Sequence, residues 1–246
     1  MKEEKKSKGG ILQKLTKLQK ITMIVISVII IIFVITILII NNSKKTSSKH
    51  GNTYKDNNTS ITTTKTKELS ESDKMLLKIS DLIDDKLAFD TGDYINGDIP
   101  SGEYAFVKFS GSGSYYSEED ASGNIIDNEN FDSFGYVKVH GVGNITTQGA
   151  LINISAFEQL GVTSAKEIYQ ILNSQENYNQ SGYYKIGTDI PAGKYVLESI
   201  GSGYYAIMSG PVGNSDIVDN DNFNGRTEIN VRDGQYLKIS RVQITQ

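Results

Sequence analysis

The residues best suited to chemistry are two Asp/Asn stretches, Asp127-Asn128-Glu129-Asn130-Phe131-Asp132-Ser133 and Asp219-Asn220-Asp221-Asn222-Phe223-Asn224-Gly225. Calcium takes several oxygen ligands from carboxylates, amides and carbonyls, so Asp219, Asp221, Asn222 and Asn224 form a calcium candidate. Asn220, Asn222, Asn224 and Gly225 match the start of an EF-hand loop. The twelfth position is Val231, however, where a bidentate Glu is needed, and the first stretch lacks the glycine. Asx turns joining two strands account for the same residues more simply.

Three tyrosine pairs, Tyr115-Tyr116, Tyr183-Tyr184 and Tyr204-Tyr205, offer an aromatic platform for a sugar or a peptide. In an alternating strand one ring of each pair must point outward, which makes Tyr115, Tyr116, Tyr204 and Tyr205 candidate ligand contacts. The competing use is cross-strand packing on a sheet. His140 has no histidine partner, and no Ser-His-Asp order or metal-ligand spacing can be assembled around it. The chain has no cysteine, which excludes thiol nucleophiles, thiolate ligands and disulfides. Paired carboxylates are plentiful, but nothing places two of them across a cleft. The glycines of Gly111-Ser112-Gly113 lie in a β context with no following helix, so they do not read as a phosphate loop. No catalytic residue and no cofactor beyond calcium is expected.

The elements that must carry these residues fall into unlike halves. Residues 1–68 hold 13 Lys against 4 acidic residues, while the remaining 178 hold 12 Lys plus Arg against 25 Asp plus Glu. The basic part suits an anionic membrane face; the acidic part would repel nucleic acid. Ile21 to Ile40 is an uncharged run broken only by Thr22, Ser27 and Thr36. About 20 residues at helical rise match the hydrocarbon core of a bilayer, which is too long for a signal-peptide core. Seven lysines precede it and Lys44, Lys45 and Lys49 follow. Lysine excess therefore predicts a single-pass membrane protein with residues 1–20 cytoplasmic and the C-terminal part extracellular. Ile11, Leu12, Leu15 and Leu18 share a helical face, read either as a helix in the headgroups or as an early start of the span. A cytoplasmic stub this short cannot hold a kinase or DNA-binding domain. Residues 41–68 are Asn, Ser, Thr and Lys with almost nothing apolar, a composition that predicts a disordered stalk.

Beyond the stalk the period changes. Met75, Leu76, Ile79, Leu82 and Ile83 recur at helical spacing, with Ser70 and Asp73 as a start signal. Thr163-Ser164-Ala165-Lys166-Glu167 is a capping-box pattern before Ile168, Ile171 and Leu172. Each predicted helix precedes the same β-rich text. The first copy has GDYINGDIPSGEY from Gly92, GSGSYY from Gly111 and IIDNENF from Ile125; the second has GYYKIGTDIPAGKY from Gly182, GSGYY from Gly201 and DIVDNDNF from Asp216. QGALINIS from Gln148 is set against DGQYLKIS from Asp233. Four motifs in one order mean a duplication. Ile-Pro-Ser-Gly and Ile-Pro-Ala-Gly fit a type I turn at Pro100 and Pro191. Asp233-Gly234 is a hairpin signal, and Val137 and Val139 are expected inward, as are Ile229 and Val231. The pattern predicts a mainly β fold: two tandem small antiparallel sandwich or barrel modules of about six strands each, residues 69–155 and 156–246, each preceded by a short helix.

The DIPxGxY, Gly-Ser-Gly, DNxNF and V-x-DG-x-YLKxS text resembles a repeat of surface proteins in low-GC Gram-positive bacteria. The second copy fits from Gly182 to Gln246. The first departs after Phe131, with extra residues around His140-Gly141-Val142-Gly143 and Gln148-Gly149 in place of Asp-Gly. The resemblance implies a membrane-anchored surface protein and transfers no activity and no catalytic residue. The expected function is therefore non-catalytic display of two β modules that bind an envelope glycan or surface protein. The alternatives are an assembly component of a membrane complex and, third, an envelope hydrolase.

Overall fold

The computed structural model describes residues 68–245. The expected cytoplasmic segment 1–20, membrane span 21–40 and nearly all of the 41–68 stalk lie outside the described residues. Among the described residues no helix is long and apolar enough to cross a membrane. The fold is mainly β, with three antiparallel four-stranded sheets.

Helix α1 (Glu71–Asp84) starts where Ser70 caps it. The Ser70 hydroxyl accepts from the Asp73 N–H at 3.1 Å, and the Asp73 carboxylate accepts from the Ser70 N–H at 3.2 Å. Two of the four N–H groups that a helix start leaves unpaired are thereby satisfied. Met75, Ile79 and Leu82 form the buried stripe, whereas Leu76 and Ile83 stay 43% and 38% exposed, so the packed face is narrower than the apolar periodicity predicts.

The first copy has eight short strands rather than six: β1 (Ala88–Phe89), β2 (Gly92–Tyr94), β3 (Gly102–Val107), β4 (Tyr115–Glu119), β5 (Ile125–Asn130), β6 (Phe134–Val139), β7 (Ile145–Thr147) and β8 (Ala150–Asn153). They form two sheets, ordered β1-β8-β3-β6 and β2-β7-β4-β5. The second copy has four strands, β9 (Gly182–Lys185), β10 (Gly193–Met208), β11 (Ile217–Val231) and β12 (Tyr236–Ile244), in the order β11-β10-β12-β9. This is the first copy's layout with its breaks healed. β10 runs through the positions of β3 and β4, β11 through β5 and β6, and β12 through β7 and β8. Where the first copy breaks at the Gly111–Gly113 segment, β10 merely bulges between Glu198 and Ser202, with Gly201 at φ +75. A bulge bends a strand without ending it.

Strand register corrects two expectations. Tyr116 pairs with Thr147 as Tyr205 pairs with Ile239, and Gly102 pairs with Val139 as Gly193 pairs with Val231. His140-Gly141-Val142-Gly143-Asn144 therefore matches Arg232-Asp233-Gly234-Gln235-Tyr236 residue for residue, and the first copy carries no insertion there. Gln148-Gly149 does not answer Asp233-Gly234; it answers the bend of β12. The turn chemistry also lies one step earlier than expected. Asp98 N–H bonds to Ile95 O at 3.0 Å and Thr188 N–H to Lys185 O at 3.2 Å, with Gly97 and Gly187 at φ +90 and +88, so Pro100 and Pro191 follow the turn.

The conserved spacing of proline and tyrosine within the two copies has a plain cause. Tyr104 Oη donates to Pro100 O at 2.9 Å, and Tyr195 Oη to Pro191 O at 2.7 Å. The same four-residue step joins Tyr94 to Asp90 and Tyr184 to Gln180. Each hydroxyl pins the chain that enters its strand, as a tyrosine corner does. Tyr104→Phe is expected to cost about 1–1.5 kcal/mol and Tyr195→Phe, which is more exposed, less; thermal unfolding of the two variants checks the order.

The copies share one hydrophobic core. β6 is the edge of its sheet and docks beside β9. Val212 exchanges backbone bonds with it, donating to Tyr136 O at 3.1 Å and accepting from Lys138 N–H at 2.6 Å. Phe134 packs edge-on to Tyr184 at 5.0 Å between centroids, Tyr136 to Tyr236 at 5.7 Å and Phe131 to Tyr183 at 6.2 Å. Glu103 takes a 2.7 Å ion pair from Lys185 and a 2.8 Å bond from the Tyr236 hydroxyl. In the second copy the register puts Arg226, Thr227 and Glu228 where Phe134, Gly135 and Tyr136 stand. Its outer edge is thus polar and offers no aromatic docking surface like that of β6.

Helix α2 (Phe157–Leu160) and helix α3 (Ala165–Leu172) follow β8. Ser164 caps α3 by accepting from Glu167 N–H at 3.2 Å, while Glu167 reaches back to the Thr163 N–H at 2.8 Å. Both long helices support the first copy. The Ser72 hydroxyl of α1 donates to Leu172 O at 3.0 Å, and the Ala165 N–H bonds to the Tyr136 hydroxyl of β6 at 3.0 Å. Asp189, of the second DIP motif, ties these parts together. Its carboxylate accepts from Lys166 N–H at 2.9 Å and from Lys185 N–H at 2.7 Å.

Candidate functional site

The docked copies leave a cleft of about 370 Å³ between the end of β5 and the outward face of the second sheet. It continues into a neighbouring hollow of about 310 Å³ that shares Glu129, Tyr183, Tyr204 and Lys238. Alternation explains which residues line it. On β10, Tyr205 and Ile207 point into the second copy's core, so Tyr204 and Ala206 face the first copy. Opposite neighbours bring Asn222 of β11 and Ser240 of β12 beside Tyr204, and Lys238 beside Ala206. The facing wall is Glu129, Asn130 and Asp132, the first Asp/Asn stretch.

The polar groups are held by bonds across the cleft. Lys238 Nζ stands 2.5 Å from Glu129 Oε2, and the Ser240 hydroxyl donates to Asp132 Oδ2 at 2.9 Å. The Asn220 amide donates to the Tyr204 hydroxyl at 3.3 Å. Arg241 sits at the bend of β12 with φ +52, a left-handed conformation that disfavours a side chain. Its N–H bonds to Ser181 Oγ at 2.8 Å and its Nε donates to Ser202 O at 2.6 Å. Between Thr147 and Leu151 the first copy has one residue fewer than the second has between Ile239 and Ile244, and this extra residue forms the bulge that turns Arg241 toward the cleft wall.

The calcium candidates are not gathered. Asp219, Asp221, Asn222 and Asn224 lie on β11, not in a loop of Asx turns. Alternation sends Asp219 and Asp221 to one face and Asn222 and Asn224 to the other. Asp219 is occupied by the Tyr205 hydroxyl at 3.0 Å; burial, with that carboxylate beside it, pushes the Tyr205 phenol up to about 12. Among the described residues no group of three or more His, Cys, Asp or Glu is arranged to hold a metal ion.

Of the four tyrosine candidates, Tyr204 alone lines the cleft. Tyr116 and Tyr205 are buried in the cores of their own copies, and Tyr115 is half-buried on the first copy's outer face. Tyr183 and Tyr184 break the expectation that one ring of each pair points outward. Both are buried, because Tyr183 packs edge-on to Phe131 and Tyr184 edge-on to Phe134, both of the first copy. That covering depends on the docked arrangement, which strand alternation cannot report.

His140, which has no histidine partner, is held by an acid. Its ring Nδ1 lies 2.9 Å from Glu118, and the same fully buried carboxylate accepts from the His140 N–H at 3.0 Å and the Gly141 N–H at 3.1 Å. Glu118 occupies the place of Ile207 in the second copy, and it closes the β6–β7 hairpin. A Glu inside a strand gives no sequence signal of that duty.

Asp189 is the other buried acid. Burial raises its carboxyl above the ordinary range, against the pull of the Lys185 and Lys166 N–H groups. The folded protein therefore holds this proton more tightly than the unfolded chain. Stability from this group is lost as pH rises from the ordinary carboxylate range through the raised value. Asp189→Asn is expected to flatten that part of the unfolding profile, read as melting temperature against pH.

Comparisons with protein-family models, with curated proteins and with solved structures found no match.

Proposed function

We propose that this chain is a single-pass, membrane-anchored binding protein. Residues 21–40 span the bilayer, 41–68 form a disordered stalk, and the paired repeats stand outside the cell to capture an envelope glycan or surface protein without chemical change. The observation that carries this reading is the cleft, whose walls come one from each copy. A pair of aromatic-docked repeats with a polar cleft at their seam is built to present a fixed surface. The absence of nucleic-acid binding is part of the reading, since residues 69–246 carry a strong acidic excess. The test uses the full chain in detergent, mixed with isolated cell-wall and membrane fractions. Retention on an envelope fraction is expected and should fall with Tyr204→Ala; no retention on any fraction overturns the reading. Protease added to intact cells should also cut the repeats.

A second reading, an assembly subunit, draws on α1. Leu69, Leu76 and Ile83 are each exposed at 38% or more and recur every seven residues, beside a groove of about 190 Å³ lined by Phe109 and Leu172. A stoichiometric partner that co-purifies in detergent, and is lost with Leu76→Ser, would favour it.

A further inference from the structure

We infer that the inter-repeat cleft takes an uncharged carbohydrate, at one site per chain. This rests on the binding reading above and names its ligand class.

Charge is the first ground. The cleft is lined by two anions and two cations, Glu129 and Asp132 against Lys238 and Arg241, so its formal charge is zero. Lys238 is paired with Glu129, Asp132 accepts the Ser240 hydroxyl, and Arg241 Nε is bound to Ser202 O. A charged ligand meets no net excess of opposite charge here, and seating beside Lys238 or Glu129 would break their ion pair. An uncharged polar ligand faces no such demand.

The second ground is a free polar group. The Asn222 side-chain amide lies beside Tyr204 on the cleft face, with no hydrogen bond to it among the described residues. It offers two donors and an acceptor. That combination suits hydroxyls, which donate and accept at once, and it is wasted on a hydrocarbon.

The third is the Tyr204 ring. A pyranose has one face of C–H groups that needs a flat apolar partner, and Tyr204 supplies it beside the Asn222 amide. The ring is prearranged. Tyr204 lies on the central strand β10, paired on one side with Asn222 and on the other with Ser240, and its hydroxyl is held by the Asn220 amide. Ordering the site on binding therefore costs little. The cleft volume is within the range of small-molecule sites, and its continuation past Tyr183 allows more of a linear glycan to follow.

Stoichiometry follows from the unlike faces of the two copies. The first copy's counterpart of Tyr204 is Tyr115, and of Lys238 it is Thr146, and among the described residues no repeat walls that face. Duplication here makes one composite site, not two equal ones.

The experiment is calorimetric titration of the full chain, held in a detergent without a sugar headgroup. The probes are an uncharged N-acetylglucosamine tetramer, an uncharged glucose tetramer, an oligogalacturonate and an oligolysine, each at low and high salt. At least one uncharged probe should bind with a stoichiometry of one and an affinity that salt leaves unchanged. Tyr204→Ala should weaken it by at least about tenfold, and Asn222→Ala, at an exposed strand position, by a few-fold. Tyr204→Phe keeps the ring and should stay near the parent, which separates loss of stacking from loss of fold. The inference is overturned if neither uncharged probe binds, if Tyr204→Ala and Asn222→Ala leave binding intact, or if only a charged probe binds and high salt abolishes it. Cell-wall retention that survives Tyr204→Ala, alongside no binding of uncharged probes, would keep the display-and-capture reading and end this one.

Discussion

Asp189→Ala should be the most damaging single substitution outside the apolar core, lowering stability by about 3–5 kcal/mol. The carboxylate joins three parts of the fold through two backbone N–H groups. Oδ1 takes the Lys166 N–H at the start of α3, and Oδ2 takes the Lys185 N–H at the end of β9. The Tyr136 and Ser164 hydroxyls lie against the same group. Alanine would leave two donors facing a site that is only 9% exposed. Each unsatisfied buried donor costs about 1–3 kcal/mol. A melting-temperature loss of roughly 10 °C is expected for a body of this size. Asp189→Asn keeps one acceptor oxygen and should recover part of the loss. A melt unchanged by Asp189→Ala would show that the second DIP motif does not organise the repeat junction.

Gly135→Ala is expected to cost about 3 kcal/mol by overpacking, and its damage should fall on the docking of the two copies. A Cβ at Gly135 would lie 2.1 Å from Phe131 Cε1 and 2.9 Å from Tyr183 Cβ. Phe131 cannot retreat, because it stacks on Phe106 at 4.5 Å between centroids. Tyr183 is fixed by its place in β9 and by its hydroxyl bond to Gly210 O at 3.2 Å. The rings must part, and the cleft beside them must open. Hydrogen exchange should rise across β9 and the Val212 bridge while β2 and β7 keep their protection. The register equivalent in the second copy is Thr227, against which none of the described elements docks. Equal loosening of both copies would argue against a seam-centred role.

Much of this fold was readable from residue order. The Ser70 and Thr163-Ser164 start signals placed both helices, because a cap is a contact among residues three or four apart. The DIPxGxY motif marked the start of β3 and β10 for a related reason: the tyrosine hydroxyl reaches a carbonyl four residues back. Val137, Val139, Ile229 and Val231 point inward as alternation predicts. The DNxNF text was harder. Asp and Asn signal turns, yet Asp219 to Asn224 run along β11, where Phe223 anchors the strand and β10 supplies its hydrogen bonds. Long-range pairing overrode local preference.

Residue order alone determined a duplicated, antiparallel β unit with capped helices, because periodicity, caps and turns depend on neighbours a few residues apart. Tertiary structure decided the rest: the burial of both Tyr183 and Tyr184, the Glu118–His140 contact, the joining of α3 to the first copy and the cleft around Tyr204. The Glu118–His140 and Glu129–Lys238 contacts among them join residues 22 and 109 positions apart. Which surfaces meet at such distances depends on shape and packing across the whole body, and the two copies meet through Phe131, Phe134 and Tyr136, whose counterparts in the second copy are Phe223, Arg226 and Glu228.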